Sequence, residues 1–405
     1  MTPHVRTLSL ETPDDLMREF GRIGVDWGGM VRMRPKGFVH FLKVARLPRF
    51  CANILKQEML ALGADAAVSR SAIAGGPQAT DCLLFGNLSQ LLSLSQKLTR
   101  QPFGLAELGV SIRETLARAG RRLTPLALGG RTVTLGRRTW LMGIVNATFD
   151  SFSGDGVAGR PVSEVVRDVE QMVRDGADMI DIGGASSRPG ARPVPAKEER
   201  RRVVPLLKAL RRRLRVPVSV DTTKSEVAAA ALDAGADIIN DISALRHDRK
   251  MARLVARSQA AVVLMHMKGT PATMQKAPRY DDVMQEVTAF LAAAMERAGG
   301  AGIAARRIIV DPGIGFGKTF EHNREILRRL AELRVLGRPI LVGLSRKSFI
   351  GKVLERPAPE RIWGTAAATA LAGRNAHIMR VHDVREIKQV VKMADALTLR
   401  RGCAT

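Results

Sequence analysis

LMGIVNAT, residues 141–148, is a short apolar run that stops on polar residues, and PVSEVVRDVEQMVRDG, 161–176, follows it with helical spacing and a terminal glycine. The same pair of signals then recurs. MIDIGG (179–184) precedes AKEERRRVVPLLKALRRRL (196–214), VPVSVDT (216–222) precedes KSEVAAAALDAG (224–235), and DIINDIS (237–243) precedes KMARLVARSQ (250–259). AVVLMHM (261–267), RIIVDPG (307–313), PILVGLS (339–345) and HIMRVHD (377–383) each lead into a further helical stretch. Eight strand–helix units in a row predict a parallel sheet, because near-continuous Val/Ile/Leu strands need cover on both faces. Eight uniform repeats over roughly 250 residues fit a closed (β/α)8 TIM barrel better than an open doubly wound sheet. No GxGxxG follows the first strand, so the usual dinucleotide reading drops out.

The chain has 405 residues, more than one core usually serves. The stretch before the barrel reads as a small α+β module. FVHFLKVARL (38–47), ADAAVSRS (64–71) and TDCLLFGN (80–87) look like strands, with Gly75–Gly76–Pro77 as a turn. ANILKQEMLALG, LSQLLSLSQKLTRQ and LAELGVSIRETLARAG look like helices. The junction, 118–140, carries a hairpin with Gly129–Gly130 at its turn. We therefore expect domains at 1–125 and 126–400.

The start of the chain has no uninterrupted apolar segment, and no stretch reaches the roughly 20 apolar residues of a membrane helix. Cys51, Cys82 and Cys403 have no metal-like spacing and fit reduced thiols in a cytoplasmic protein. The net charge of +25 raises nucleic acid as a partner. The arginines at 200–202 and 211–213 fall on the polar side of an amphipathic helix with no interleaved aromatics, which argues for a solvated face instead.

Polar residues recur at the carboxyl ends of the barrel strands, where this fold places its chemistry. Asn146, Asp181, Asp221, Asn240 with Asp241, His266, Asp311, the run Ser345–Arg346–Lys347, and Arg380 with His382 and Asp383 occupy the eight ends in turn. A single Asp or Asn there could merely cap the next helix. Eight such ends together point to a site, because charge buried at strand ends is costly unless paired or used. Asp and Asn from neighbouring strands can pair with a heterocycle presenting N–H and carbonyl groups. Lys347, Arg380 and His382 form a cationic cluster suited to phosphate, and Asn146 can offer an oxygen to Mg2+. The Gly/Ser/Pro-rich loops after the first two strands are candidate lids.

GIVNATFDSFSGDG, DIGGASSRPG, SVDTTKSEVAAAALDAGADIINDIS, LMHMKGTPATMQ, DPGIGFGKTFEHN, VGLSRKSFIG and RVHDV stand in an order and spacing that resemble the dihydropteroate synthase family, the folate-pathway enzymes inhibited by sulfonamides. The N-terminal module resembles an extension found on some bacterial members. The resemblance implies a Mg2+-dependent transferase in which p-aminobenzoate displaces pyrophosphate from 6-hydroxymethyl-7,8-dihydropterin pyrophosphate. It implies a pterin pocket of Asp221, Asn240, Asp311 and Lys347, an anion site of Arg380 and His382, and Asn146 at the metal position. It assigns Asp150, Ser187 and Arg188 to the two loops and Phe152, Pro189, Lys347 and Ser348 to the aminobenzoate pocket. It also implies a homodimer built on late barrel helices. Other readings of such a barrel are a pterin-binding paralogue with another second substrate and a methyltransferase passing a methyl group from a reduced folate to a corrinoid. The sequence departs from the family pattern in three places: Phe149 stands for its Pro, Ala147 for its Val, and Ala185–Ser186–Ser187 for Glu-Ser-Thr.

Overall fold

Strands that are apolar along their whole length are stable only when both faces are covered, and the ring of eight parallel strands does this. The computed structural model describes residues 4–70, 72, 78–147, 159–186 and 193–398. The barrel strands are β6 (Trp140–Asn146), β7 (Met179–Gly183), β8 (Val218–Asp221), β9 (Ile238–Asp241), β10 (Ala261–Met265), β11 (Ile308–Asp311), β12 (Leu341–Gly343) and β13 (Ile378–Val381). Their order is β11-β10-β9-β8-β7-β6-β13-β12. A parallel bridge between Val310 and Ile340 joins the two ends, and the Val310 N–H donates to the Pro339 carbonyl at 2.9 Å, so the ring closes. Helices Val162–Arg174, Ala196–Arg211, Ser225–Asp233, Met251–Arg257, Val283–Gly300, Phe320–Arg328, Ile362–Gly373 and Val384–Thr398 follow the strands.

Side chains alternate between the two faces of a strand. Leu141, Ile180, Ile182, Val220, Ile239 and Val310 point outward into the core shared with the helices. Met142, Met179, Ile238, Val263, Ile309, Leu341 and Ile378 belong to a separate apolar cluster, the lower interior of the barrel. Leu126, Leu128 and Leu135 complete that cluster and are fully buried. They come from the predicted hairpin, β4 (Thr124–Leu128) and β5 (Arg131–Leu135). Gly129 and Gly130 turn it with φ of +51° and +85°, the left-handed pair a two-residue hairpin needs. The hairpin floors the barrel, and each fully buried leucine contributes about 1.5–3 kcal/mol.

That packing moves the domain boundary. The chain divides into units Met1–Gly120 and Arg121–Thr405, because the hairpin leucines belong to the barrel interior. A cut at residue 125 would fall inside β4.

The first unit is an antiparallel sheet of β1 (Val39–Pro48), β2 (Asp65–Val68) and β3 (Ala79–Asn87) in the order β1-β3-β2. Helices Arg49–Ala61, Leu88–Leu98 and Leu105–Ala119 supply its core with Leu55, Met59, Leu91, Leu94 and Ile112. These are the strands and helices read from the sequence; the turn at Gly75–Gly76–Pro77 lies outside the described residues. Two short helices, Pro13–Ile23 and Trp27–Met33, were not anticipated. The first opens on a capping box, in which the Thr12 N–H donates to the Asp15 carboxylate at 2.8 Å and the Asp15 N–H donates back to the Thr12 hydroxyl. Among the described residues, no helix is long and apolar enough to cross a membrane.

Candidate active site

The inward parity that fills the barrel floor with apolar side chains continues upward into polar ones. Asp181 lies two residues beyond Met179, Asn240 two beyond Ile238, Asp311 two beyond Ile309 and Arg380 two beyond Ile378. The period of two therefore lifts four polar side chains into one layer at the barrel mouth. Asp221 and Asn240 are register partners on β8 and β9, and Asp311 pairs in register with Met265.

Arg380 reaches across this layer. Its Nε donates to Asp181 Oδ2 at 2.6 Å, and one terminal nitrogen lies 3.4 Å from Asp221 Oδ2. The Asn240 amide donates to the same Asp181 oxygen at 3.2 Å. Asp181 is completely buried, and its Oδ1 has no partner among the described residues; neither has the hydroxyl of Ser219, its register partner on β8. Burial, then the charge of Asp181, pushes the Asp221 carboxyl up to about 7 against the pull of Arg380. Burial alone would weaken the Arg380 cation, but the charges of Asp181 and Asp221 outweigh it.

Asp311 is held by its own loop. The Gly313 N–H donates to Asp311 Oδ1 at 2.6 Å. Burial pushes the Asp311 carboxyl up to about 6, opposed by that hydrogen bond and by Lys347 and Lys318. The Lys347 ammonium sits 4.2 Å from the Phe316 ring, a cation–π contact that leaves it facing the same mouth. Phe316 packs with Ile242, Met265, Met267 and Met274, an apolar wall beside the polar layer. Such a wall with a few convergent polar groups suits a flat heterocycle.

On the far side, Nδ1 of His382 lies 2.9 Å from the Ser345 hydroxyl, which also accepts from the His382 N–H. Arg346 grips Asp383 through two nitrogens, at 3.2 and 2.5 Å. Ser348 is exposed at the start of helix Ser348–Leu354. Asn146 ends β6, half-buried, and its neighbour Ala147 is buried with its N–H on the Gly183 carbonyl at 2.8 Å. Asp150, Phe152, Ser187, Arg188 and Pro189 lie outside the described residues, as does Phe149. The root of the second loop is described. Arg202 donates to the Gly184 carbonyl at 3.2 Å, and Glu199, buried and paired with Lys224, packs against Gly184.

Two arginines expected on a solvated helix face thus have inward work: Arg202 on Gly184, and Arg211 on Asp237 at 3.0 Å. Asp241 sits at a strand end but on the outward parity; it accepts from the Ser243 N–H and hydroxyl and from the Leu245 N–H, so it shapes its own loop. His266 also faces a supporting partner, the buried ammonium of Lys318 at 2.8 Å from Nδ1. Lys318 was missed in the sequence, because a lone lysine after a Gly-rich loop reads as solvated. Asp181 reads from the sequence as a strand end, and nothing local to it signals the contact with Arg380. Among the described residues, no group of three His, Cys, Asp or Glu could hold a metal.

Comparison with known proteins agrees with this geometry. The family model for pterin binding enzymes matches residues 142–382. The dihydropteroate synthase of Synechocystis is 48% identical over 276 residues, covering 67% of this chain and 95% of that protein. The bifunctional folylpolyglutamate synthase/dihydropteroate synthase of Halobacterium salinarum is 41% identical over 388 residues, 96% of this chain, so the match takes in the N-terminal unit; the chain spans about half of that relative, 46%. A crystal structure of Yersinia pestis dihydropteroate synthase with a sulfonamide drug complex superposes with a TM-score of 0.65 at 40% identity, over 68% of this chain and 98% of that one. A barrel whose polar layer is built for a heterocycle beside an anion, with sequence identity of this extent, makes the chain a member of the pterin-binding dihydropteroate synthase family.

Proposed function

We propose that the mouth of this barrel condenses 6-hydroxymethyl-7,8-dihydropterin pyrophosphate with p-aminobenzoate, giving 7,8-dihydropteroate and pyrophosphate. The observation that carries the reading is the juxtaposition of half-buried Asp221 and buried Asn240 and Asp311 with the Arg380 cation at the barrel mouth. Asp221 and Asp311 accept from the pterin's N–H groups, and the Asn240 amide and Lys347 meet its ring acceptors. The bond between the pterin methylene and the diphosphate oxygen breaks, and the electron pair leaves with the diphosphate. Arg380 and His382 stabilise that departing charge, while the two carboxylates stabilise the positive charge left on the pterin. The neutral aromatic amine then forms the new carbon–nitrogen bond and loses a proton to solvent or to the departing diphosphate. No protein nucleophile is required.

Asp150, Arg188 and Ser187 would close over the reacting groups from the two loops, with Phe152, Pro189, Lys347 and Ser348 lining the aminobenzoate end. Closure would keep water from capturing the cation. Asn146 supplies one neutral amide oxygen, and the described residues add no acidic cluster. That donor set fits Mg2+ that arrives on the diphosphate and keeps most of its own waters. Bound there, the ion would neutralise diphosphate charge.

We place the enzyme in the cytoplasm, with small-molecule substrates and no nucleic-acid partner. A homodimer is supported by an apolar stripe on the late helices: Trp363, Ala367 and Leu371 at four-residue spacing on Ile362–Gly373, and Met393 and Leu397 on Val384–Thr398, all exposed. The test of the activity is pyrophosphate release in the presence of Mg2+. Release should require both the pterin substrate and p-aminobenzoate, and the absence of a condensation product would overturn the reading.

A further inference from the structure

We infer that Asp181 is a positioning residue that tethers Arg380 and so couples the pterin end of the site to the anion end. The inference rests on the reading above, in which Asp221 receives the pterin and Arg380 the departing anion.

Arg380 has two carboxylate partners of unequal grip. The bond from Nε to Asp181 is short, 2.6 Å, and its acceptor is completely buried. The contact from the terminal nitrogen to Asp221 is long, 3.4 Å, and Asp221 faces the mouth. The guanidinium is thus shared, and part of its charge is spent on Asp221. A pterin whose N–H groups occupy Asp221 competes for that carboxylate and loosens the weaker contact. The tether at Nε persists, so the guanidinium stays at the mouth with its terminal nitrogens released for an anion. Removal of the tether would let Arg380 swing fully onto Asp221 and form a two-nitrogen pair there, blocking both ligands at once.

Asp181 is built for this task rather than for ligand contact. Its Oδ2 also accepts from Asn240, so one oxygen fixes two side chains that face the ligand. Its Oδ1 and the Ser219 hydroxyl are buried without partners among the described residues. Buried polar atoms of that kind mark a place for an ordered water. Arg380 is therefore the main neutraliser of the Asp181 charge, and the two hold each other in place.

Coupling of this kind is reciprocal: pterin must tighten pyrophosphate as much as pyrophosphate tightens pterin. The experiment is calorimetric titration of the full chain with Mg2+-pyrophosphate, alone and with saturating 6-hydroxymethylpterin. The wild type should bind pyrophosphate at least about fivefold more tightly when the pterin is present. Asp181→Asn should reduce that factor to less than about twofold while weakening each ligand. Arg380→Lys, which keeps the charge but cannot grip two carboxylates, should lose the coupling as well, and it decides the matter if Asp181→Asn does not fold. Pterin binding with no coupling in the wild type, or full coupling in either variant, overturns the tether and leaves the pterin site standing. Failure of the wild type to bind the pterin overturns the tether and the site together.

Discussion

The ammonium of Lys318 lies 2.8 Å from Nδ1 of His266, and both side chains are buried under the active-site mouth. Lys318 also donates to the carbonyls of Gly313 and Phe316, each at 2.9 Å. Gly313 is also the residue whose N–H holds Asp311, and Phe316 carries the ring beside Lys347. One buried lysine thus sets the loop that sets two residues of the proposed pterin pocket. Lys318→Met should leave those acceptors unsatisfied and cost about 2–4 kcal/mol of stability. Pterin affinity should fall at least about tenfold in the protein that remains folded. A pterin Kd within twofold of wild type would show that the loop holds itself.

The two carboxyls of the pocket, pushed up to about 7 at Asp221 and about 6 at Asp311, give binding a definite pH dependence. Both lie above the value in the unfolded chain, so the folded site retains protons that the unfolded chain has released. Their contribution to stability is largest in acid and declines as pH rises towards 6 and then 7. Pterin N–H donors favour the ionised carboxylates. Affinity should therefore rise from about pH 5.5 to about pH 8, with proton release on binding near pH 6. Titrations in buffers of different ionisation enthalpy measure the release; a flat affinity and no proton release would rule out carboxylate recognition.

How much of this was legible beforehand differs by residue. The strand-end placing of Asn146, Asp221, Asn240, Asp311, Lys347, Arg380 and His382 is legible because strand ends of a parallel barrel share one face. Asp241 has the same sequence position but the opposite parity, and only the structure separates it from Asn240. The work of Asp181 depends on Arg380 crossing from β13 over β6 to β7, a contact between residues 199 apart. No local pattern encodes such a contact. Helix Pro13–Ile23 is a different kind of miss, since Thr12 and Asp15 at capping-box spacing were there to be read.

Gly317 separates tolerated from forbidden changes in the loop after β11. Its φ is +62°, and a Cβ there would lie 2.3 Å from the Lys268 carbonyl oxygen. Neither the backbone angle nor the neighbouring backbone can yield easily, so Gly317→Ala should cost more than about 2 kcal/mol and disable pterin binding. Gly299, inside helix Val283–Gly300, has nothing within 4 Å of a Cβ. Gly299→Ala should stabilise by up to about 1 kcal/mol. Thermal unfolding of the pair checks both, and equal melting temperatures would refute the contrast.

His377 gives the barrel floor its own acid sensitivity. Its Nδ1 accepts from the Ile340 N–H at 3.1 Å, and Nε2 lies 3.4 Å from the Thr124 hydroxyl of the floor hairpin. Burial, helped by Arg334, pushes the imidazole down to about 4 from its ordinary 6.5, so the fold holds it neutral. Between those two values the unfolded chain binds a proton that the folded chain refuses. The contribution of His377 is thus full above pH 6.5 and is lost as pH falls towards 4, the reverse of the two pocket carboxyls. His377→Asn keeps an acceptor for Ile340 but removes the titration. Wild type should exceed the variant in stability at pH 7, and that margin should shrink by about 1–2 kcal/mol at pH 5. Urea unfolding at the two pH values measures the margin, and parallel profiles would mean that His377 is protonated as easily in the fold as outside it.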